Sequence, residues 1–386
     1  MSSTVDLTVL CWDHPRCTAP VTAAVREWER LNPGVRMRVT ARPLASFNDQ
    51  PLTEIAGSAD LLFIDHPMVG EAAHSGALLP LDDLVGEDVL GALAADSVGA
   101  SHATYTWDGR QWATAVDAAC HVAVVDGTRA GALFQEVPRS WDDVLELARR
   151  APGSVAIPLY PSDAVLSVLS ITGNLRAHGE AADGFWSLEA VRIFCELVRR
   201  VDPRCFDLNP PRLLDLMSAG PAADAPVYAP LLFGYTNYQR PTAPGRRLSF
   251  VDVPSVGADP AGAVLGGAGL AVSVRSAHPV EAARFAAWLT GVDAQRGIVL
   301  PNEGQPGSRA VWHDEAADAV VGGFFSGTRA TIESSHVRPR DPWWPGYQDA
   351  AGIALVDLLR TAAPPAAIHD HLTRMLDGKR SKEISQ

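Results

Sequence analysis

Two segments of the chain carry the same acid, imidazole and proline triplet, Asp13-His14-Pro15 and Asp65-His66-Pro67. A carboxylate can orient a neighbouring imidazole, and an imidazole with a pKa near ~6.5 exchanges protons at neutral pH. Each triplet could therefore bind a polar ligand or take part in acid–base catalysis. The proline fixes the turn and leaves the acid and the imidazole free to point outward. The alternative is that each Asp caps the next helix and each His is merely exposed.

Each triplet follows a predicted β-strand. The first strand ends at Trp12, and residues 61–64 form a continuous apolar run typical of a buried parallel strand. In open α/β sheets, ligands bind beyond the carboxyl ends of the strands. The candidate ligand-binding residues that follow from this position are Trp12, Asp13, His14, Asp65 and His66.

Two further residues near the first strand could contact a ligand. Arg16 lies just before a predicted helix that starts near Thr18, where free backbone N–H groups and a guanidinium could hold a carboxylate or a phosphate. A surface ion pair is the alternative for Arg16. Trp12 could stack on a sugar or an aromatic ring, or it could belong to the core.

The pattern around these segments predicts alternating strands and helices. The first helix ends at Asn32-Pro33-Gly34, and residues 35–40 alternate between apolar and polar types as the next strand. Ser140 with Asp143 forms a capping box, and Ser187 can cap another helix in the middle of the chain. This order of elements is typical of the α/β class.

Size and charge limit the architecture and the partners. A chain of 386 residues exceeds one ordinary core and suits two domains. The net charge of -13 repels phosphate backbones and anionic lipids, so we expect neither a nucleic-acid partner nor membrane insertion. No known cofactor motif is recognisable, and we expect no cofactor and no metal ion.

The cysteines and the N-terminal sequence predict a location. The chain has five cysteines at spacings that match neither a zinc ribbon nor a redox motif, so we expect reduced thiols. The N-terminal residues MSSTVDL run directly into the first strand without the apolar stretch of an export signal. We therefore expect a cytoplasmic protein, or an extracellular or membrane-associated one if a leader has been removed.

Several segments resemble the sugar-type (family 1) extracellular solute-binding proteins of bacterial ABC importers, which include maltose-binding protein. In chain order they read LTVLCWDHPRC, REWERLNPGVRMRV, ADLLFIDHPMVGEAAHSGALLPLDDL, YTWDGRQWATAVDAACHVAVVD, VPRSWDDVLELARR and GGAGLAVSVRSAHPVEAARFAAWLTGVDAQ. The likeness covers nearly the whole chain. It implies a two-lobed periplasmic-binding-protein-like α/β fold (type II), with a ligand cleft between lobes that are joined by hinge strands and close around the ligand. One lobe would hold residues 1–115 and 262–308, and the other 116–261 and 309–386.

The resemblance also implies site residues in the second half of the cleft. Asp117 puts a carboxylate in the hinge, where the family often has apolar backbone near the cleft. Tyrosine ring faces and an amide are suited to hydroxylated or planar ligands. The candidates carried over by segment are Asp117, His121, Tyr235, Asn237, Tyr238, Glu303 and Trp343.

These observations predict a solute-binding-type protein that captures a small polar ligand, a sugar or an organic acid, by closure of the lobes. An ABC permease would be its partner only if the protein is exported. The alternative is a cytoplasmic, cofactor-independent enzyme on the same scaffold, with acid and base groups in the cleft. The groups that such an enzyme would use are His14, His66, Asp65, Asp117 and His121.

Overall fold

A computed structural model of the chain describes residues 4–180 and 184–384. The strands are β1 Val5–Trp12, β2 Val35–Arg42, β3 Leu61–Ile64, β4 Leu78–Leu79, β5 Thr106–Trp107, β6 Arg110–Gln111, β7 Thr114–Asp126, β8 Tyr228–Phe233, β9 Leu248–Val251 and β10 Leu265–Ser273. The mixture of parallel sheet and helices confirms the predicted α/β class.

Helices fill the connections between the strands. Those before β8 are α1 Pro15–Leu31, α2 Leu44–Asp49, α3 Leu52–Ile55, α4 Val69–Ser75, α5 Glu87–Ala95, α6 Gly127–Ala130, α7 Trp141–Arg150, α8 Pro161–Ala177, α9 Leu188–Val198 and α10 Pro210–Ala219. Those after β10 are α11 Pro279–Thr290, α12 Val292–Ala294, α13 Arg309–Trp312, α14 Glu315–Val320, α15 Phe324–Glu333, α16 Trp344–Arg360 and α17 Pro365–Ile384. Short 3₁₀ turns include His66–Met68 and Thr236–Tyr238.

The strands form a mixed sheet in the order β2-β1-β3-β10-β7-β8, with β4 beside β10 and β9 beside β7. Strand β1 pairs in parallel with β2 and β3, whereas β10 runs antiparallel to β3 and β7. The carboxyl ends of β1 and β3 therefore meet the beginning of β10 at one edge of the sheet.

Strand β7 belongs to both halves of the molecule. It is 13 residues long, and every one of its residues is buried. Its residues 114–120 pair with β10, and residues 121–126 pair with β8 and β9. One continuous strand thus joins the sheet of the first lobe to that of the second.

Buried apolar residues form three clusters around this framework. Leu61 and Phe63 of β3 face one cluster, and Leu62 and Ile64 face another, because successive side chains of a strand point to opposite faces. The first-lobe sheet is thus covered on both faces. The third cluster packs helices against β7, β8 and β9 in the second lobe. The residue boundaries of the lobes stay a prediction.

Two predicted helix starts are confirmed. Ser140 and Asp143 form the reciprocal capping box of α7, in which each side chain accepts the backbone N–H of the other residue. The Ser187 side chain accepts from the Ala190 N–H at the start of α9. Local polar pairing therefore sets these boundaries, as the sequence indicates.

The predicted start of the first helix near Thr18 is wrong. Helix α1 begins at Pro15, because proline suits the first helical position and His14 Nδ1 accepts the N–H of Arg16. Arg16 consequently lies in the first turn of the helix, and not before it.

The fold contains no helix, within residues 4–180 and 184–384, that is long and apolar enough to cross a lipid bilayer.

Gly267 in β10 is a backbone position that we expect only glycine to tolerate. It has a φ of +112°, and a Cβ atom there would collide with the Asp117 carbonyl oxygen on β7. We predict that Gly267→Ala lowers the free energy of unfolding by about 2–4 kcal/mol, which urea denaturation would measure.

Gly109→Ala is the matched control, since Gly109 has a φ of +72° and open space where a Cβ would lie. It should cost only about 1–2 kcal/mol of backbone strain. Equal losses for the two variants would contradict the proposed clash between the strands.

Candidate ligand-binding cleft

A cleft with an empty volume of about 1010 Å³, counted out to its open mouth, lies between the two lobes. The carboxyl ends of β1 and β3 supply the first-lobe wall. The middle of β7 and the paired start of β10 form the floor, and the N-termini of α8 and α10 with the residues after β8 supply the second-lobe wall. The cleft therefore lies where strand ends were expected to place a ligand site.

The structure brings together five of the residues that the sequence suggested. Trp12, Arg16, Asp65, Asp117 and Tyr235 all line the cleft. Their roles in binding stay a prediction.

Arg16 forms a buried ion pair with Asp117. Its Nε and Nη2 donate to Oδ2 and Oδ1 of Asp117 at 2.7 and 2.5 Å, and its Nη1 donates to the Gly234 carbonyl oxygen at 2.8 Å. The guanidinium carbon lies 4.6 Å from the centroid of the Tyr235 ring. Burial raises the pKa of Asp117, and the Arg16 guanidinium opposes that rise. Arg16 thus connects α1, the crossing strand β7 and the second lobe.

A second ion pair joins the end of β3 to a segment far along the chain. Arg338 Nη2 donates to Oδ1 and Oδ2 of Asp65 at 2.6 and 2.8 Å, and the Arg338 side chain is 2% exposed. Asp65 Oδ1 also accepts the N–H of His66 at 2.9 Å and caps the short helix there. The capping alternative is therefore correct for Asp65, which lines the cleft as well.

The three candidate histidines lie outside the cleft lining. His14 caps α1, and burial lowers its pKa to about 4. His66 is fully buried, and burial lowers its pKa. His121 Nδ1 lies 2.8 Å from Ser170 Oγ, its ring packs against Phe233 at 4.4 Å between centroids, and burial lowers its pKa to about 3. All three are therefore neutral imidazoles held in the structure at neutral pH.

The five acid–base residues that the enzyme alternative requires do not meet at one place in the cleft. Its two carboxylates, Asp65 and Asp117, are each paired with a buried arginine, and its three imidazoles do not line the cleft. The geometry gives no support to acid–base catalysis by these groups.

Asn237 and Glu303 lie away from the cleft lining and contact each other. Asn237 Nδ2 donates to Glu303 Oε2 at 2.7 Å, and the same oxygen lies 3.6 Å from Arg240 Nε. The pair ties the segment after β8 to the loop before α13. Its visible role is to hold these two loops together.

The remaining candidates also lie outside the cleft lining. Asp13 is exposed. The Tyr238 hydroxyl donates to Asp215 Oδ1 at 2.8 Å, and Trp343 packs edge-on against Tyr347 with 6.0 Å between ring centroids. These aromatic side chains support the second lobe from outside the cleft.

Several residues that line the cleft were not predicted from the sequence. Tyr160 and Arg212 lie at the N-termini of α8 and α10, and Arg338 comes from the segment before α16. The prolines that open α8 and α10 could have marked both helix starts. Nothing local marks Arg338, because its partner is 273 positions away in the chain.

The chain is similar in sequence to one protein family. Residues 23–299, more than half of the chain, match the model of a family described as bacterial extracellular solute-binding protein. No curated protein matches the chain by sequence.

Solved structures share the fold over almost the entire chain. Maltose-bound MalE3 of T. maritima has a TM-score of 0.80 at 14% identity, with 97% of this chain and 99% of that chain covered. An ABC transporter solute-binding protein of Agrobacterium radiobacter in complex with ribitol has a TM-score of 0.77 at 17% identity, with 98% and 99% covered. One from Thermotoga lettingae with α-D-tagatose has a TM-score of 0.77 at 17% identity, with 97% and 100% covered. These likenesses confirm the two-lobed periplasmic-binding-protein-like fold.

The Asp65 and Arg338 pair should make a large contribution to stability that depends on both partners. Asp65→Ala leaves a buried guanidinium without its carboxylate and should lower the free energy of unfolding by about 3–5 kcal/mol in chemical denaturation. The double variant Asp65→Ala/Arg338→Met should recover most of that loss, since no unpaired charge remains. Glu189→Ala, which removes an exposed partner of Arg192, is the control and should change little. Additive losses in the double variant would contradict the pairing.

His121 should make the protein sensitive to acid. Its pKa is about 3 when folded and near ~6.5 when unfolded, so the unfolded chain binds the extra proton. The free energy of unfolding is therefore unaffected by this group above pH ~6.5. It falls as the pH drops from there towards about 3, by up to about 1.4 kcal/mol per pH unit. His121→Gln should reduce the slope in denaturation series between pH 7 and 4, and the slope that remains comes from the other buried histidines, such as His14 and His66. His74→Gln alters an exposed histidine and should keep the slope; an unchanged slope in His121→Gln would refute the assignment.

Proposed function

The chain belongs to the family of bacterial extracellular solute-binding proteins, and on this premise we propose that it captures a neutral hydroxylated solute, a sugar or a polyol, in the cleft between its lobes. The observation that carries the proposal is the composition of the cleft lining, in which positive and negative side chains are equal in number and aromatic rings lie next to them.

The charges along the cleft favour a neutral ligand. Its lining contains three arginines and three aspartates: Arg16, Arg212, Arg338, Asp65, Asp117 and Asp163. The two most buried arginines are already paired with carboxylates. A charged ligand bound against these two pairs would lose its hydration without gaining a free partner of opposite charge there, which is costly. The hydroxyl groups of a neutral ligand can instead donate hydrogen bonds to the carboxylate oxygens. They can also accept from guanidinium N–H groups that are not used in the ion pairs.

The aromatic lining suits the faces of a sugar or polyol. Trp12 and Phe47 border the cleft from the first lobe, and Tyr160, Phe233 and Tyr235 border it from the second. Such rings offer flat apolar area at a low cost in side-chain entropy. A hydroxylated carbon chain or ring held between the two walls would contact aromatic faces on both sides and charged hydrogen-bonding groups at its edges.

The structural relatives support the same ligand class. Maltose, ribitol and tagatose are bound in the three neighbours described above. The family's description is of extracellular proteins, which favours that location over the cytoplasmic one expected from the N-terminal sequence. In that setting we propose that the closed lobes present the solute to an ABC permease.

Isothermal titration calorimetry of the purified protein tests the proposal directly. The panel contains ribitol, mannitol, tagatose and maltose, with glucuronate and glucosamine as charged counterparts. We expect saturable binding of a neutral compound at about one per chain, and mass spectrometry should recover it unaltered. Binding confined to the charged compounds would reject the neutral class, and turnover of a compound would reject simple capture.

Tyr160→Ala should weaken binding of the neutral ligand by about tenfold or more, because the ring is 37% exposed and borders the cleft. Its partial exposure means that the fold should be little affected. Tyr238→Ala is the matched control, since that ring lies outside the cleft lining, and it should retain the wild-type affinity in the same titration. Equal affinities for both variants would remove Tyr160 from the site.

A further inference from the structure

Asp117 occupies an unusual position for a charged side chain. It lies in the part of the buried strand β7 that pairs with β10, opposite Ala268, and its carboxylate forms part of the cleft floor. The side chain is only 5% exposed. A carboxylate in such a place needs a partner, and Arg16 provides two N–H donors to its two oxygens.

All three nitrogen atoms of the Arg16 guanidinium donate hydrogen bonds within the protein, and one of its faces packs on an aromatic ring. Nε and Nη2 form the two-pronged edge that binds Asp117, while Nη1 donates to the Gly234 carbonyl oxygen and Tyr235 covers one face. That edge is the one with which arginine binds carboxylates in general, whether they belong to the protein or to a ligand. In the native cleft the protein's own carboxylate occupies it.

The other two arginines of the cleft have different surroundings, and the buried Nε of Arg338 has no hydrogen-bond partner. Arg338 directs Nη2 to both oxygens of Asp65 and Nη1 to Gln348 Oε1. Arg212 is exposed and donates Nη1 to the Asp207 carbonyl oxygen. Arg16 is thus the arginine whose carboxylate-binding edge is filled by a side chain of the cleft floor.

We propose that Asp117 is a specificity-determining residue that makes the cleft select neutral over anionic solutes by occupying the carboxylate-binding edge of Arg16. The inference rests on the proposed function in that it concerns the ligand class of the same cleft. A ligand carboxylate at this position would have to displace Asp117 and leave that residue buried without its partner. A neutral hydroxylated ligand carries no such penalty.

The consequence is that removal of the Asp117 carboxylate should open a site for a ligand carboxylate. Asp117→Ala frees the edge of Arg16 and leaves space of about carboxylate size in the cleft floor. The variant should therefore bind small carboxylates that the wild-type protein ignores. Sugar acids, which combine hydroxyl groups with a carboxylate, should gain most.

The experiment compares wild-type protein, Asp117→Ala and Asp117→Ser, with sodium acetate and sodium formate as probes against sodium chloride at equal ionic strength. Acetate should raise the thermal unfolding midpoint of Asp117→Ala in a saturable manner and leave that of the wild type unchanged. Asp117→Ser also removes the carboxylate and leaves most of that space, while its small hydroxyl remains in the cleft floor; it serves if the alanine variant folds poorly. Arg16→Met/Asp117→Ala lacks the guanidinium and should show no response to acetate.

Calorimetry with glucose and glucuronate gives the second readout. The ratio of glucuronate to glucose affinity should rise by at least about tenfold in Asp117→Ala, the effect of one charge-assisted hydrogen bond. If acetate stabilises neither Asp117 variant, or stabilises the double variant equally, the inference is overturned. Failure of the wild type to bind any neutral sugar or polyol would instead reject the proposed function, because the acetate response does not depend on that result.

Discussion

The structure depends on one constraint, which is that β7 serves both lobes and is buried along its whole length. A strand that pairs with β10 at one end and with β8 and β9 at the other fixes its middle at the junction, where the cleft floor must lie. Asp117 lies just before the change of partners at residues 120 and 121, and its carboxylate forms part of that floor. Because a buried carboxylate is costly without a partner, the position of Arg16 at the start of α1 follows from the same constraint. Through its contact with Gly234, Arg16 then links the first-lobe helix to the second lobe.

The same logic explains why the cleft is polar without being charged. Parallel strands β1 and β3 end at one edge and deliver Arg16 and Asp65 to it. Each of these side chains forms an ion pair with a distant part of the chain. Arg16 pairs with Asp117 of β7, and Asp65 pairs with Arg338 of the segment before α16. Each pair leaves hydrogen-bonding atoms at the cleft surface. Because its positive and negative charges offset each other, the pair attracts an ionic ligand less than a single charge would. Under the proposed function, recognition then depends on hydroxyl geometry and aromatic contact.

The sequence predicted the parts of this arrangement that depend on local chemistry. The capping box of Ser140 and Asp143 and the strand end at Trp12 are set by residues a few positions apart, and both were placed correctly. The partners of Arg16 and Asp65 could not be predicted, because they lie 101 and 273 positions away and are brought together only by the fold. The orientation of His121 was equally inaccessible, since the alternation that distinguishes inner from outer faces is lost in a strand that is buried throughout.

Charge pairing across the lobes also couples ligand specificity to folding. In a cleft lined by exposed charges, one substitution could change the preferred ligand at little cost to stability. Here the loss of either member of a buried pair leaves its partner without compensation, at a cost of about 3–5 kcal/mol, which is a large part of the stability of an ordinary domain. A change from neutral to anionic solutes therefore requires that the incoming ligand replace the missing carboxylate, so that the ligand itself restores the stability of the folded protein. Selection for a new solute on this scaffold would act on binding and folding together.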